Sequence, residues 1–131
     1  MKKRGIINAR LSGYIAALGH MDFFMIGDAG MPIPKGVPVV DLALCEGVPT
    51  FEQVLKAVLD EVKVEGYFIA EETADKNEQI YGLIKEALPD AEEETRTHIQ
   101  FKLFSEKVKF AIRTGEFTPY ANIILRAGVV F

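Results

Sequence analysis

The chain is poor in the side chains on which much enzyme chemistry depends. Its 131 residues include one cysteine, Cys45, and two histidines, His20 and His98. A lone cysteine excludes an internal disulfide and makes a reduced, cytosolic setting the default expectation. One thiol and two well-separated imidazoles are thin material for zinc, so no metal is expected. Cys45 has no base beside it in sequence, and Ser12 and Ser105 sit in no nucleophile motif. No G-x-G-x-x-G or P-loop pattern occurs, and the Gly27-Asp28-Ala29-Gly30 turn is a poor nucleotide signal. No stretch reaches the roughly eighteen apolar residues that a membrane span needs. The start has a basic head, but Asn8 and Arg10 break its apolar stretch and no small-x-small cleavage site follows. A soluble cytoplasmic protein without a signal peptide is therefore expected. Fifteen basic residues against nineteen acidic ones give a formal charge of -4, which argues against a nucleic-acid surface.

What is present suits a single domain. The length fits one core, and 49% of the residues are apolar. Asn8 can cap a helix over residues 9–18, with Leu11, Tyr14, Ile15 and Leu18 on one stripe and Gly19 at the C′ position. Residues 23–27 form an apolar run of strand length, and Asp28-Ala29-Gly30 with "MPIPKG" reads as a loop. "VPVVDLAL" suggests a second strand. Thr50-x-x-Gln53 is a capping box opening a helix over residues 51–63. "VEGYFIAEE" reads as a buried strand, with Glu71-Glu72 as its solvated end in preference to a pair of catalytic acids. An amphipathic helix over residues 75–87 stops before Pro89. The run Glu92-Glu93-Glu94 reads as a solvated turn or edge, and "KFAIRTGE" and "NIILRAGVVF" as two closing strands. Alternation of helices and strands implies a three-layer α/β domain spanning residues 1–131, with a mixed, partly parallel central sheet. The apolar ending "GVVF" implies that Phe131 is buried, in its own core or against another subunit.

Candidate chemistry gathers at a few places. His20 follows the end of the first helix, close in sequence to Asp22 and Asp28. An imidazole there could donate a proton near neutral pH, or could simply cap the helix. Asp28 leaves a buried strand for a glycine-bearing loop. Ligands of α/β sheets gather at such carboxyl ends, although an aspartate there can equally hold its own loop. Alternating Ile99, Phe101 and Leu103 suggest a strand, whereas Thr97-x-x-Gln100 is a capping box. In either case His98 and Lys102 share a face. Tyr120 and Asn122, two apart on a strand, would point the same way and could grip hydroxyls. Together these are proton-shuttling and hydroxyl-binding groups, suited to a small polyhydroxylated substrate.

The segments "LGHMD", "GDAGMPIP", "GVPTFEQVL", "AEE", "IRTGEFTPYANIIL" and the ending "AGVVF" carry a resemblance to the D-ribose pyranase family over essentially the whole chain. The related L-fucose mutarotase branch shares the early Gly-His-x-Asp and a Tyr-x-Asn, but differs at "DAGMPIP" and "FTPY". The resemblance implies an isomerase that needs no cofactor and converts β-D-ribopyranose to β-D-ribofuranose. It implies pentameric rings that stack into a homodecamer, with active sites at subunit contacts. The proton-donor histidine of the family falls on His20. Its sugar-binding positions fall on Asp28, His98, Lys102, Tyr120, Ala121 and Asn122, and it favours a helix starting near His98. Changing ring size requires an acid for the ring oxygen and a base at the anomeric position, and an imidazole can serve as both. A mutarotase acting mainly on anomers and a non-catalytic sugar-binding ring protein are the alternatives.

Overall fold

A computed structural model describes residues 1–131. Six strands form one mixed sheet in the order β2-β5-β1-β6-β3-β4. They are β1 (Phe23–Gly27), β2 (Val39–Asp41), β3 (Val64–Ala70), β4 (Glu92–Arg96), β5 (Ala111–Arg113) and β6 (Ile123–Ala127). β1 is parallel to β5, β5 to β2, and β3 to β4, while β6 runs antiparallel to both β1 and β3. Five strands therefore point one way, and only β6 returns. The expected mixed α/β sheet is what forms.

Helices cover both faces because successive side chains on a strand point to opposite sides. Phe24, Ile26, Ile123 and Leu125 join the larger core under α1 (Ala9–Ala16), α2 (Phe51–Leu59) and α4 (Glu78–Ala87). The intervening Met25 and Ile124 join a smaller core with Phe68 and with Phe101 of α5 (His98–Phe104). Each large side chain buried this way contributes about 1.5–3 kcal/mol. On α2, Phe51, Val54, Leu55 and Val58 are buried at helical spacing, and both bonds of the Thr50–Gln53 capping box form.

Several expectations are corrected. α1 ends at Ala16 with Ala17 as its cap, so Gly19 is not its C′ residue. The left-handed conformation falls instead on Met21, at φ 68°. α2 stops at Leu59, short of residue 63. The helix expected over residues 75–87 is two helices. Glu71 and Glu72 open α3 (Glu71–Lys76) rather than ending a strand, and Asn77 breaks the run and caps α4 through Ile80 N–H at 3.3 Å. The segment beginning at His98 is a helix, with both bonds of the Thr97–Gln100 capping box formed. Tyr120 is not on a strand: it has φ 57°, and β6 begins only at Ile123. Val130 and Phe131 are exposed, so Phe131 does not enter the core of its own chain.

Candidate functional site

Five parallel strands share one carboxyl edge, and the segment leading into β6 starts from that edge. Asp28 follows β1, Glu71 and Glu72 follow β3, Thr97 and His98 follow β4, and Tyr120 to Asn122 precede β6. The topology thus gathers polar groups distant in sequence at the place where open α/β sheets hold ligands.

Asn122 is the fixed point of this edge, at 1% exposure. Its Oδ1 accepts Asp28 N–H at 2.8 Å, and its Nδ2 donates to Asp28 Oδ2 at 2.8 Å. Asp28 Oδ1 accepts Gly30 N–H at 2.9 Å, so the aspartate holds its own loop in an Asx turn. Asn122 therefore orients the aspartate. Ala121 is buried as a whole residue.

Tyr120 turns outward from its left-handed backbone, a conformation that costs a non-glycine residue about 1–2 kcal/mol. The surrounding structure enforces it. Thr73 Oγ1 donates to Tyr120 O at 2.9 Å, and Asn77 Nδ2 donates to Pro119 O at 2.7 Å and to Thr118 Oγ1 at 3.0 Å. The Tyr120 ring meets His98 edge-on with centroids 5.0 Å apart, and Lys76 Nζ lies 5.9 Å from the ring centre.

His98 begins α5, and its N–H donates to Glu72 Oε2 at 2.9 Å. Its Nδ1 is buried without a protein partner. Burial and the nearby Lys102 ammonium hold its pKa below the usual histidine value, against the opposing pull of Glu72 and Asp28. The ring is therefore neutral at neutral pH, with one nitrogen donating and the other accepting. An open cleft of about 350 Å³ runs beside Asp28, lined by Gly30, Glu116, Thr118 and Pro119 among others. A larger groove of about 810 Å³ between α2 and α4 shares no residue with this cluster. No three His, Cys, Asp or Glu side chains converge as metal ligands.

His20 is elsewhere. It precedes β1, whereas Asp28 follows it, and five strand residues separate the two ends by roughly 16 Å. Neither aspartate suggested by sequence touches it. Asp22 is held by Lys109 Nζ at 2.8 Å and by Gly19 N–H at 2.7 Å, which keep its carboxyl below the usual range. The carboxylate partner of His20 is Glu65, with Nε2 to Oε2 at 3.1 Å. Within one chain, then, Asp28, His98, Tyr120 and Asn122 form one cluster with Lys102 one helical turn from His98, and His20 lies at the opposite edge.

Sequence reasoning missed Glu72, Lys76 and Glu65. Glu72 was visible only as part of an acidic pair, and nothing local to Glu65 announces an imidazole 45 residues away.

The whole chain has close relatives. A protein of Limosilactobacillus reuteri named D-ribose pyranase is 49% identical over the full length of both chains. Its namesake in Limosilactobacillus fermentum is 47% identical, also over both full lengths. The solved structure of Bacillus subtilis RbsD complexed with D-ribose superposes with a TM-score of 0.97, at 43% identity over all of both chains. The model of the RbsD / FucU transport protein family matches residues 1–130. By sequence along its whole length and by fold, this chain belongs to the RbsD / FucU family.

Proposed function

We propose that this protein interconverts the pyranose and furanose rings of D-ribose. The observation that carries this reading is the cluster of Asp28, His98 and Tyr120 on a backbone that superposes with a TM-score of 0.97 on a relative solved with D-ribose.

A pyranose opens when its ring oxygen gains a proton and its anomeric hydroxyl loses one. The aldehyde then rotates, and a different hydroxyl closes the five-membered ring. Asp28, fixed by Asn122, accepts sugar hydroxyls through a lone pair its own loop leaves free. Neutral His98 and the Tyr120 phenol supply a donor and an acceptor each, and Lys102 adds a cationic donor. His20 moves the proton, with an expected contribution on the order of 10²–10⁴-fold.

Because one chain holds His20 and Asp28 at opposite sheet edges, the complete pocket requires His20 of the partner subunit. Exposed apolar side chains support this. Met21, Val130 and Phe131 surround the His20 edge, while Ile99, Leu103 and Phe117 flank the Asp28 edge. Two unlike patches that meet head to tail generate a ring when the rotation between subunits closes, which fits the pentamers and the stacked homodecamer expected from the resemblance. Cys45 is exposed and unpaired, which suits a reducing, cytoplasmic setting.

Saturation-transfer NMR on D-ribose tests the proposal. Enhanced pyranose–furanose exchange is expected, with its loss in His20→Asn. Enhanced exchange between anomers alone, or binding without any enhanced exchange, would reject it.

A further inference from the structure

Around His20 the structure spends several unusual backbone features on one side chain. β3 pairs with β6 through Val64↔Ala127 and Gly66↔Arg126, so two steps on β3 oppose a single step on β6. Glu65 is the extra residue of this bulge. Bulges re-aim side chains, and here the Glu65 carboxylate reaches an imidazole and a guanidinium at once. Its Oε2 lies 3.1 Å from His20 Nε2, and its Oε1 lies 3.2 Å from Arg126 Nε as an ion pair.

The neighbours make room for that placement. A Cβ on Gly66 would meet Arg126 Nη2 at 2.8 Å, and a Cβ on Gly128 would meet Glu65 Oε2 at 3.3 Å. Arg126 is itself anchored by Glu92 Oε2 at 2.8 Å and is only 17% exposed. From the other side, Met21 holds a left-handed backbone at φ 68°, with its N–H bonded to Ala127 O at 2.9 Å. A long non-glycine side chain in that conformation is an outlier of the kind that clusters at functional sites. His20, though half exposed, is thus gripped from both strands at its edge.

We propose that Glu65 is the positioning residue of His20: by accepting a hydrogen bond from Nε2–H it selects one imidazole tautomer and leaves Nδ1 as the nitrogen that exchanges protons with the sugar. The inference rests on the reading of His20 as the proton-transfer group. In the neutral ring Nε2–H donates to Glu65 and Nδ1 carries the free lone pair, ready to take the anomeric hydroxyl proton. The imidazolium that results keeps its Nε2–H on the carboxylate and returns the Nδ1 proton to the ring oxygen. No proton is gained or lost over the cycle.

The test uses the full-length protein with ¹⁵N-labelled histidine and Glu65→Gln, which keeps the shape of the side chain but can both donate and accept. His20 and His98 are the two histidines of the chain, so a His20→Asn sample assigns the spectrum. At about pH 8.5, where ordinary imidazole is neutral, ¹H–¹⁵N correlations in the wild type are expected to show His20 protonated at Nε2. In E65Q a mixture of the two tautomers is expected. The exchange rate at saturating ribose should fall by about 10- to 100-fold in E65Q, the range over which orienting partners of imidazoles act. KM should stay within about twofold, because the interaction serves proton transfer and not sugar binding. Glu65→Asp retains the carboxylate, should recover part of the rate, and serves as the second variant where Gln disturbs folding by circular dichroism. An unaltered tautomer or rate in E65Q, with His20→Asn inactive, would overturn the role of Glu65 alone. A fully active His20→Asn would overturn the role of His20 and this inference with it.

Discussion

Replacing Asn122 by alanine removes the clamp on Asp28 without touching any exposed group. Two hydrogen bonds are lost at once, each 2.8 Å long: one from the Asp28 N–H and one from the Asn122 amide to the Asp28 carboxylate. The first is a neutral bond worth about 1 kcal/mol net, and the second is charge-assisted and worth about 1.5–3 kcal/mol. Asp28 is only partly buried, so water can replace part of the second. The expected destabilisation is about 2–3 kcal/mol, or a fall in Tm of roughly 6–12 °C for a chain of this size. Urea unfolding at one fixed protein concentration measures it, with the slope unchanged and the midpoint lowered. A double-mutant cycle with Asp28→Ala isolates the side-chain bond and should return a coupling of about 1 kcal/mol or more. Ribose affinity should fall together with stability, because a freed carboxylate no longer aims at the sugar. A loss below about 0.5 kcal/mol with unchanged ribose affinity would refute the reasoning, since a buried amide with two such bonds cannot be removed so cheaply.

His98 gives a pH prediction. Its pKa is lowered in the folded protein, first by burial and then by Lys102, so below its ordinary value of about 6.5 the unfolded chain takes up the proton first. Stability should be full above about pH 6.5 and fall as pH drops toward the lowered folded value. His98→Gln should flatten that limb in a series of thermal melts, and an unchanged limb would count against a buried neutral ring. Removing residues 130–131 deletes two exposed apolar side chains at the His20 edge. Sedimentation velocity should show weaker self-association and ribose exchange should fall in parallel, whereas an unchanged assembly would exclude this tail from the subunit contact.

The local signals in the chain marked the type of most elements, missed the helix opened by Glu71 and Glu72, and were weak for element limits. Thr50–Gln53 and Thr97–Gln100 marked two helix starts because a capping box is a short-range exchange of hydrogen bonds. Residues 23–27 were legible as a strand because buried strands read as continuous apolar runs. The break at Asn77 was not legible, because its side chain answers to Thr118 and Pro119, some forty residues away. Besides Gly5, Gly36 and Gly47, two non-glycine residues, Met21 and Tyr120, hold left-handed backbones, against local preference. Tertiary bonds at Ala127 and Thr73 hold these two there.

By itself, then, the sequence determined the alternation of elements, the mixed sheet and the residue types able to handle a sugar, since these follow from periodicity, capping and side-chain chemistry. Only the tertiary structure decided which of them meet. Strand direction sent Asp28, His98, Tyr120 and Asn122 to one edge of the sheet and His20 to the other. The bulge at Glu65 then supplied a carboxylate that no nearby sequence position provides. Proximity between residues dozens of positions apart is fixed by register and by the packing of both faces, and neither is written in any local stretch of chain.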